Sequence, residues 1–276
     1  AGPRSNRESR RVCVCCVFGG GWNCVLVGST AVSEVQGTRE LVGKKNDWRE
    51  LSGEKTMNGL VRLNRLNEST WGLDRSFRAA YYSLLLVKWF GKRVGVGEEK
   101  TGQLDALLGA IGNYRILTRF TGMPATVAEL LEGGEGGDPL QQLLAWTRTA
   151  SMLVYYPLEH LAWAKDAGVI RSKKVDSANL WVVSCRLWLL YVVAQILSRL
   201  LTLRTLQREL RRKDLSFDQR RDCRAQLRST RLQLVCNASD FCLAGNWSLR
   251  RSPLGDFGVG FCGVVGSAAG LILSFS

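Results

Sequence analysis

Gly258-Val-Gly-Phe-Cys-Gly-Val-Val-Gly-Ser-Ala-Ala-Gly-Leu-Ile-Leu-Ser-Phe-Ser276 is the stretch on which the fold turns. Its 19 residues carry no charge. A helix needs about 20 apolar residues to cross a bilayer core, so the length fits. The glycines favour lipid over water as the surroundings. In water each would weaken a helix, whereas between helices in lipid small residues permit close approach. Gly266-Ser-Ala-Ala-Gly270 is a GxxxG pattern, preceded by Gly263. The pattern predicts a C-terminal membrane helix, with Gly263, Gly266 and Gly270 as self-association positions facing a second copy of the chain.

Upstream, Trp181–Leu203 is the next strongest apolar run, 23 residues with two charges, Arg186 and Arg199. Its uncharged centre, Leu187 to Ser198, is short for a bilayer, and arginines near the ends are expected to snorkel outward and extend it. Trp181, Trp188 and Tyr191 suit a membrane interface. Arg204 to Arg231 follows with ten Lys/Arg against four Asp/Glu, a surface drawn to anionic head groups or a solvated helical hairpin. Leu140 to Trp163 is mostly apolar, but Arg148, Pro157 and Glu159 interrupt it as a simple span. Residues 132–139, Glu-Gly-Gly-Glu-Gly-Gly-Asp-Pro, read as a flexible linker and the main internal boundary. Residues 140–276 are thus expected to form a membrane-embedded helical region.

The part before the linker, residues 57–131, reads as amphipathic helices. Leu63, Leu66, Thr70, Leu73, Phe77, Tyr81 and Leu84 recur every three or four residues on one face. A second helix is expected from Leu104, where Leu104, Leu107, Leu108 and Ile111 share a face until Gly109 and Gly112 weaken it. Beyond Gly112 the apolar face moves to Ile116, Leu117 and Phe120, with Arg115 and Arg119 opposite. A short helix with bulky apolar residues on one side and arginines on the other fits an anionic bilayer surface. It equally fits a packed helix with a solvated basic face. The lipid reading has Ile116, Leu117 and Phe120 insert while Arg115 and Arg119 contact head groups. The fold class expected is all-α: a membrane-associated helical bundle with amphipathic helices and a C-terminal Gly-rich membrane helix.

Residues 1–56 are rich in Gly, Arg and Cys and lack helical period. They read as a poorly ordered N-terminal extension or as a stretch foreign to the native product. Cys13, Cys15, Cys16 and Cys24 cluster there without a CxxC pair, and the single histidine, His160, is far off in sequence. That spacing does not match known zinc sites, so no metal is expected. Nine cysteines fit free thiols better than a disulfide framework.

The formal net charge of +14 favours anionic partners, either lipid or nucleic acid. No zinc-finger, RNA-recognition or helix-turn-helix signature accompanies the charge, and an uncharged C-terminal segment suits lipid, so no nucleic acid is expected. Gly258-Val-Gly260-Phe-Cys-Gly263 spells a dinucleotide-binding pattern but lacks the strand, βαβ unit and downstream acid that such a site needs. One histidine leaves little room for a triad. Neither a catalytic site nor a cofactor is expected.

Five passages, in order, carry a resemblance. Leu66-Asn-Glu-Ser-Thr-Trp-Gly-Leu-Asp-Arg75 with Phe77-Arg78 and Tyr81 comes first, then Tyr114-Arg-Ile-Leu-Thr-Arg-Phe-Thr-Gly122. Tyr155-Tyr-Pro-Leu-Glu-His-Leu-Ala-Trp163, Ser184-Cys-Arg-Leu-Trp-Leu-Leu-Tyr191, and Asn237-Ala-Ser-Asp240 through Trp247-Ser248 with the Gly-rich tail follow. From about Leu60 to Phe275 the chain resembles the peroxisomal biogenesis factor 11 family, most closely its fungal-type members. Arg119-Phe-Thr-Gly departs from the family's Arg-Leu-Gly by one inserted residue, and residues 1–56 have no counterpart. The resemblance implies a peroxisomal membrane protein that elongates and remodels the membrane ahead of peroxisome fission and proliferation. It also implies self-association and recruitment of membrane-fission machinery, a dynamin-related protein and its adaptor. Two other readings stay open: a small-metabolite channel of the same membrane, with Arg148, Glu159, Arg186 and Arg199 as lining candidates, and a basic soluble binding protein.

Overall fold

A computed structural model describes residues 53–132, 138–212 and 214–275. Among them are eight helices and no strand: α1 (Gly53–Asn67), α2 (Thr70–Arg93), α3 (Glu98–Arg119), α4 (Gly122–Glu132), α5 (Pro139–Asp166), α6 (Ser177–Leu210), α7 (Phe217–Trp247) and α8 (Asp256–Phe275). The all-α expectation holds. The cysteine cluster and the rest of residues 1–52 lie outside the described residues, and α1 begins at Gly53. Of the linker, residues 133–137 also lie outside.

Local chemistry sets the helix ends. The stripe from Leu63 to Leu84 is divided between two helices, because Ser69 takes an extended conformation and its Oγ accepts from Gly72 N, capping α2. Helix α3 starts earlier than the apolar pattern indicated, at Glu98, where two acids sit in the first turn and complement the helix dipole. It runs through Gly109 and Gly112 without a break. Asp138 caps α5 with Pro139 at its first turn, and Pro157 is accommodated within that long helix. Ser216 and Gln219 form a reciprocal capping box on α7.

The helices close into a ring. Helix α5 packs on α6, α6 on α7, α7 on α8 and α8 on α2, while α3 joins α2 back to α5 and α4 rests on α5. One apolar cluster sits where α2, α3, α7 and α8 meet: Tyr82, Leu85, Leu108, Leu243 and Val259. The axes of α5 and α6 run side by side in opposite directions. Gln141 Nε2 donates to Ser198 O (3.2 Å) near one end, and Trp181 Nε1 donates to Asp166 Oδ2 (2.7 Å) at the other.

Candidate functional site: an apolar belt around an arginine-lined cavity

The polarity of the long helices is inverted relative to a helix packed in water. The residues α6 buries are Ser184, Val192, Ala194, Ser198 and Leu206. Its bulky apolar side chains Val183, Leu190, Leu197 and Leu200 are exposed. Helix α8 buries Val259, Gly260, Gly263, Gly266, Ser267 and Ala269 and turns Phe257, Phe261, Ile272 and Phe275 outward. Helix α5 buries Thr149, Ser151, Tyr155, Tyr156 and Glu159 along with Leu144 and Ala162, while Leu143, Trp146 and Val154 face out. Small and polar residues inside with large apolar ones outside is the arrangement lipid selects, because lipid rewards outward apolar surface while polar groups must find partners within the protein. Helices α6 and α8 are long and apolar enough to cross a membrane.

Inside the ring is a cavity of about 900 Å³ lined by residues of α2 to α7. Five arginines reach it: Arg78, Arg115, Arg119, Arg148 and Arg199. Three are paired. Arg78 bonds Asp240, joining α2 to α7. Arg115 Nε donates to Asp74 Oδ1 at 2.9 Å, joining α3 to α2. Arg119 Nη2 meets Glu159 Oε1 at 2.8 Å, joining α3 to α5, and Tyr155 Oη donates to the same oxygen at 2.6 Å. Burial works against the charge of Arg78 and Arg119. Their neighbours outweigh it, Asp240 for Arg78 and Tyr155 with Glu159 for Arg119, and both guanidiniums hold their protons more firmly than usual.

These pairs redefine the residues the sequence singled out. Arg115 and Arg119 do not point outward from α3; both turn into the cavity and are held by carboxylates. Ile116 is half-buried, and its carbonyl lies 3.0 Å from His160 Nε2. Leu117 and Phe120 do face out, 48% and 56% exposed, with the Phe120 ring edge-on to His160. Helix α3 ends at Arg119, and Phe120-Thr121 form the corner into α4. The corner requires glycine at 122. A Cβ there would stand 2.6 Å from Tyr156 Oη and 3.0 Å from the Trp71 ring. The residue inserted relative to the family's Arg-Leu-Gly therefore falls in this corner.

The small-residue face of α8 is likewise occupied within the chain. A Cβ on Gly263 would enter the Tyr82 ring of α2, and one on Gly266 would lie 2.8 Å from Ser239 Cβ of α7. Gly270 is looser, with Cys236 Sγ at 4.0 Å. Gly263 and Gly266 are buried, so the close approach their spacing signals is made to α2 and α7, not left open for a second copy. Arg199 turns into the cavity rather than snorkelling to the interface, and Arg186 Nε donates to Ser248 O at the α7–α8 corner (3.2 Å). Sequence reasoning did not find the carboxylates Asp74 and Asp240 as partners. A signal was available: each acid falls within a passage that carries the family resemblance, and both sit partly buried, where an unpaired charge is costly.

A family model described as Peroxisomal biogenesis factor 11 matches residues 60–273, most of the chain. The chain belongs to this family. Human peroxisomal membrane protein 11C is 33% identical over 142 residues, covering 46% of this chain and 57% of the relative. The mouse protein of the same name is 34% identical over 127 residues, covering 43% and 51%. The match thus spans just over half the length of these curated relatives. Both are mammalian, and the narrower fungal-type expectation draws no support from them. No solved structure matches the chain. Within the family match lie the three cavity ion pairs, the cavity itself and the α3–α4 corner.

Proposed function

We propose that the chain elongates and remodels the peroxisomal membrane by loading one leaflet with an apolar corner held rigid from inside. Family membership makes it a factor of peroxisome biogenesis at the peroxisomal membrane. The observation that carries the finer reading is the α3–α4 corner. Leu117 and Phe120 stand exposed there, Trp71 is exposed beside it, and Arg115 and Arg119 anchor its base. Burying the exposed part of Phe120 alone, roughly 100 Å², is worth about 2–3 kcal/mol. An insertion that shallow expands the head-group region of one leaflet and favours curvature.

Head-group attraction falls to other residues than the sequence indicated. Freeing Arg119 would strand Glu159, 3% exposed, without its cation, at a cost of about 3–5 kcal/mol. The basic hairpin at the α6–α7 turn supplies the charge instead. Arg208, Arg211, Arg221, Arg224 and Arg228 are all exposed there. Phe120 contacts His160 in the second half of α5, whereas the hairpin lies beyond Ser198, which faces the start of α5. Corner and hairpin therefore sit at opposite ends of the α5–α6 pair, and the apolar load is one-sided.

The test is reconstitution of the full chain into vesicles of phosphatidylcholine with an anionic lipid. Leu117→Ser with Phe120→Ser should leave membrane insertion and thermal unfolding close to wild type and reduce tubule formation severalfold. Undiminished tubulation by that variant refutes the corner as the remodelling element. A small-metabolite passage is the second reading, favoured by the cavity, to which Arg148, Glu159 and Arg199 contribute and Arg186 does not. Solute flux through vesicles loaded with the same protein separates the two.

A further inference from the structure

Five arginines line the cavity, and three of them have a carboxylate within bonding distance. Arg148 of α5 and Arg199 of α6 have none among the described residues. Arg148 Nη1 donates instead to neutral acceptors, Gln195 Oε1 at 2.8 Å and Ser198 Oγ at 3.4 Å. Arg199 Nε is buried and makes no hydrogen bond. Arg148 bonds the side chain of Ser198, the residue next to Arg199, and both arginines line the same cavity, so two like charges share this end of it. The neighbouring polar groups are already engaged with each other: Ser198 Oγ donates to Gln141 Oε1 at 2.7 Å. Of the four acids on the cavity wall, Asp74, Glu159 and Asp240 are taken by the paired arginines, and the fourth, Glu129 of α4, is exposed and forms no ion pair among the described residues. Two cations with a neutral, preorganised surround and no internal counter-ion form half of an anion site.

We propose that the Arg148–Arg199 end of the cavity binds a phosphate group, carried on a lipid head group or free. Paired planar guanidiniums present several N–H donors to tetrahedral phosphate oxygens, and Arg199 Nε is a donor left open for one of them. Both arginines stand on helices whose outer faces are apolar, so a lipid could enter from the bilayer and leave its chains there. The site is independent of the α3–α4 corner, and nothing in the remodelling reading requires it.

The experiment is equilibrium dialysis of the full chain in a non-ionic detergent against radiolabelled inorganic phosphate. Competition by dihexanoyl phosphatidate and by uncharged dihexanoyl glycerol runs alongside. Saturable binding of one phosphate per chain is expected, weakened at least tenfold by Arg148→Gln or Arg199→Gln and unchanged by Arg212→Gln in the exposed hairpin. Phosphatidate displacing the label at least tenfold more effectively than inorganic phosphate assigns the site to lipid; equal displacement assigns it to a free phosphate. Dihexanoyl glycerol should not displace it. Without phosphate, either glutamine variant should unfold at or above the wild-type temperature, because each removes one of two repelling charges. Arg199→Lys, keeping the charge and losing the fork, should bind with intermediate affinity. Absence of saturable binding to the wild-type chain, binding indifferent to both glutamine variants, or loss of fold in those variants overturns the proposal.

Discussion

Glu159 offers the sharpest test of how the bundle is held. It is 3% exposed, takes Arg119 Nη2 at 2.8 Å and the Tyr155 hydroxyl at 2.6 Å on one oxygen, and its Oε2 has no partner. Glu159→Gln removes the charge and keeps the shape, leaving Arg119 buried without a counter-ion. Breaking a buried pair from one side costs about 3–5 kcal/mol. At about 2–4 °C per kcal/mol for a chain of this size, unfolding should fall by roughly 6–20 °C. Arg119→Met alone should be comparably harmful, because it strands the carboxylate. The double variant Arg119→Met with Glu159→Leu should recover most of the loss, since desolvation of both charges disappears together. The assay is thermal unfolding of the full chain in non-ionic detergent, followed by tryptophan fluorescence. If the double variant is as unstable as the sum of the singles, the pair is not coupled and the account of the α3–α5 junction is wrong.

Three further outcomes follow from the packing. Gly263→Leu should sharply lower the yield of folded protein because its side chain would enter the Tyr82 ring, whereas Gly270→Leu, with Cys236 Sγ at 4.0 Å, should be tolerated; cross-linking of the Gly270→Leu variant should match wild type, as that face is turned to α7. The full chain should resist alkaline carbonate extraction, and deleting residues 256–276 should cost fold as well as retention by uncovering Tyr82, Leu85 and Leu243; limited proteolysis reads the difference. Arg221→Glu with Arg224→Glu in the exposed hairpin should weaken binding to anionic vesicles and flatten its salt dependence while leaving unfolding unchanged.

Much of the fold was legible because lipid leaves a simple mark. Gly258 to Ser276 lacks charge along its whole length, and no soluble helix of that glycine content would hold. That one constraint marks α8 as a lipid-facing helix with a close-packed small-residue face, but not the neighbours in the same chain that fill the face. Boundaries were less legible where a single hydrogen bond decides them. Ser69 breaks one apolar stripe into two helices through its side chain, and the periodicity of Leu63 to Leu84 passes over it. Glycine weakens a helix by about 1 kcal/mol relative to alanine, and tertiary contacts of α3 with α2 and α5 overcame Gly109 and Gly112.

The site was half legible for a related reason. A helix one turn long on each face shows which residues oppose one another, but not which face meets the protein. For Ile116, Leu117 and Phe120 against Arg115 and Arg119, the sequence supports lipid outside the apolar face or core behind it. In water the apolar face would turn in and the arginines out. Here three acids on other helices are available, Asp74, Asp240 and Glu159, and once they are inside the ring each must find a cation. Arg78, Arg115 and Arg119 answer them one for one, which forces Leu117 and Phe120 outward. The same logic applied to the small-residue face of α8 explains why Gly263 meets Tyr82 and Gly266 of the GxxxG meets Ser239. A close-approach motif specifies a small surface, not whose helix will fill it, and in a ring of helices the nearest claimant is a neighbour in the same chain.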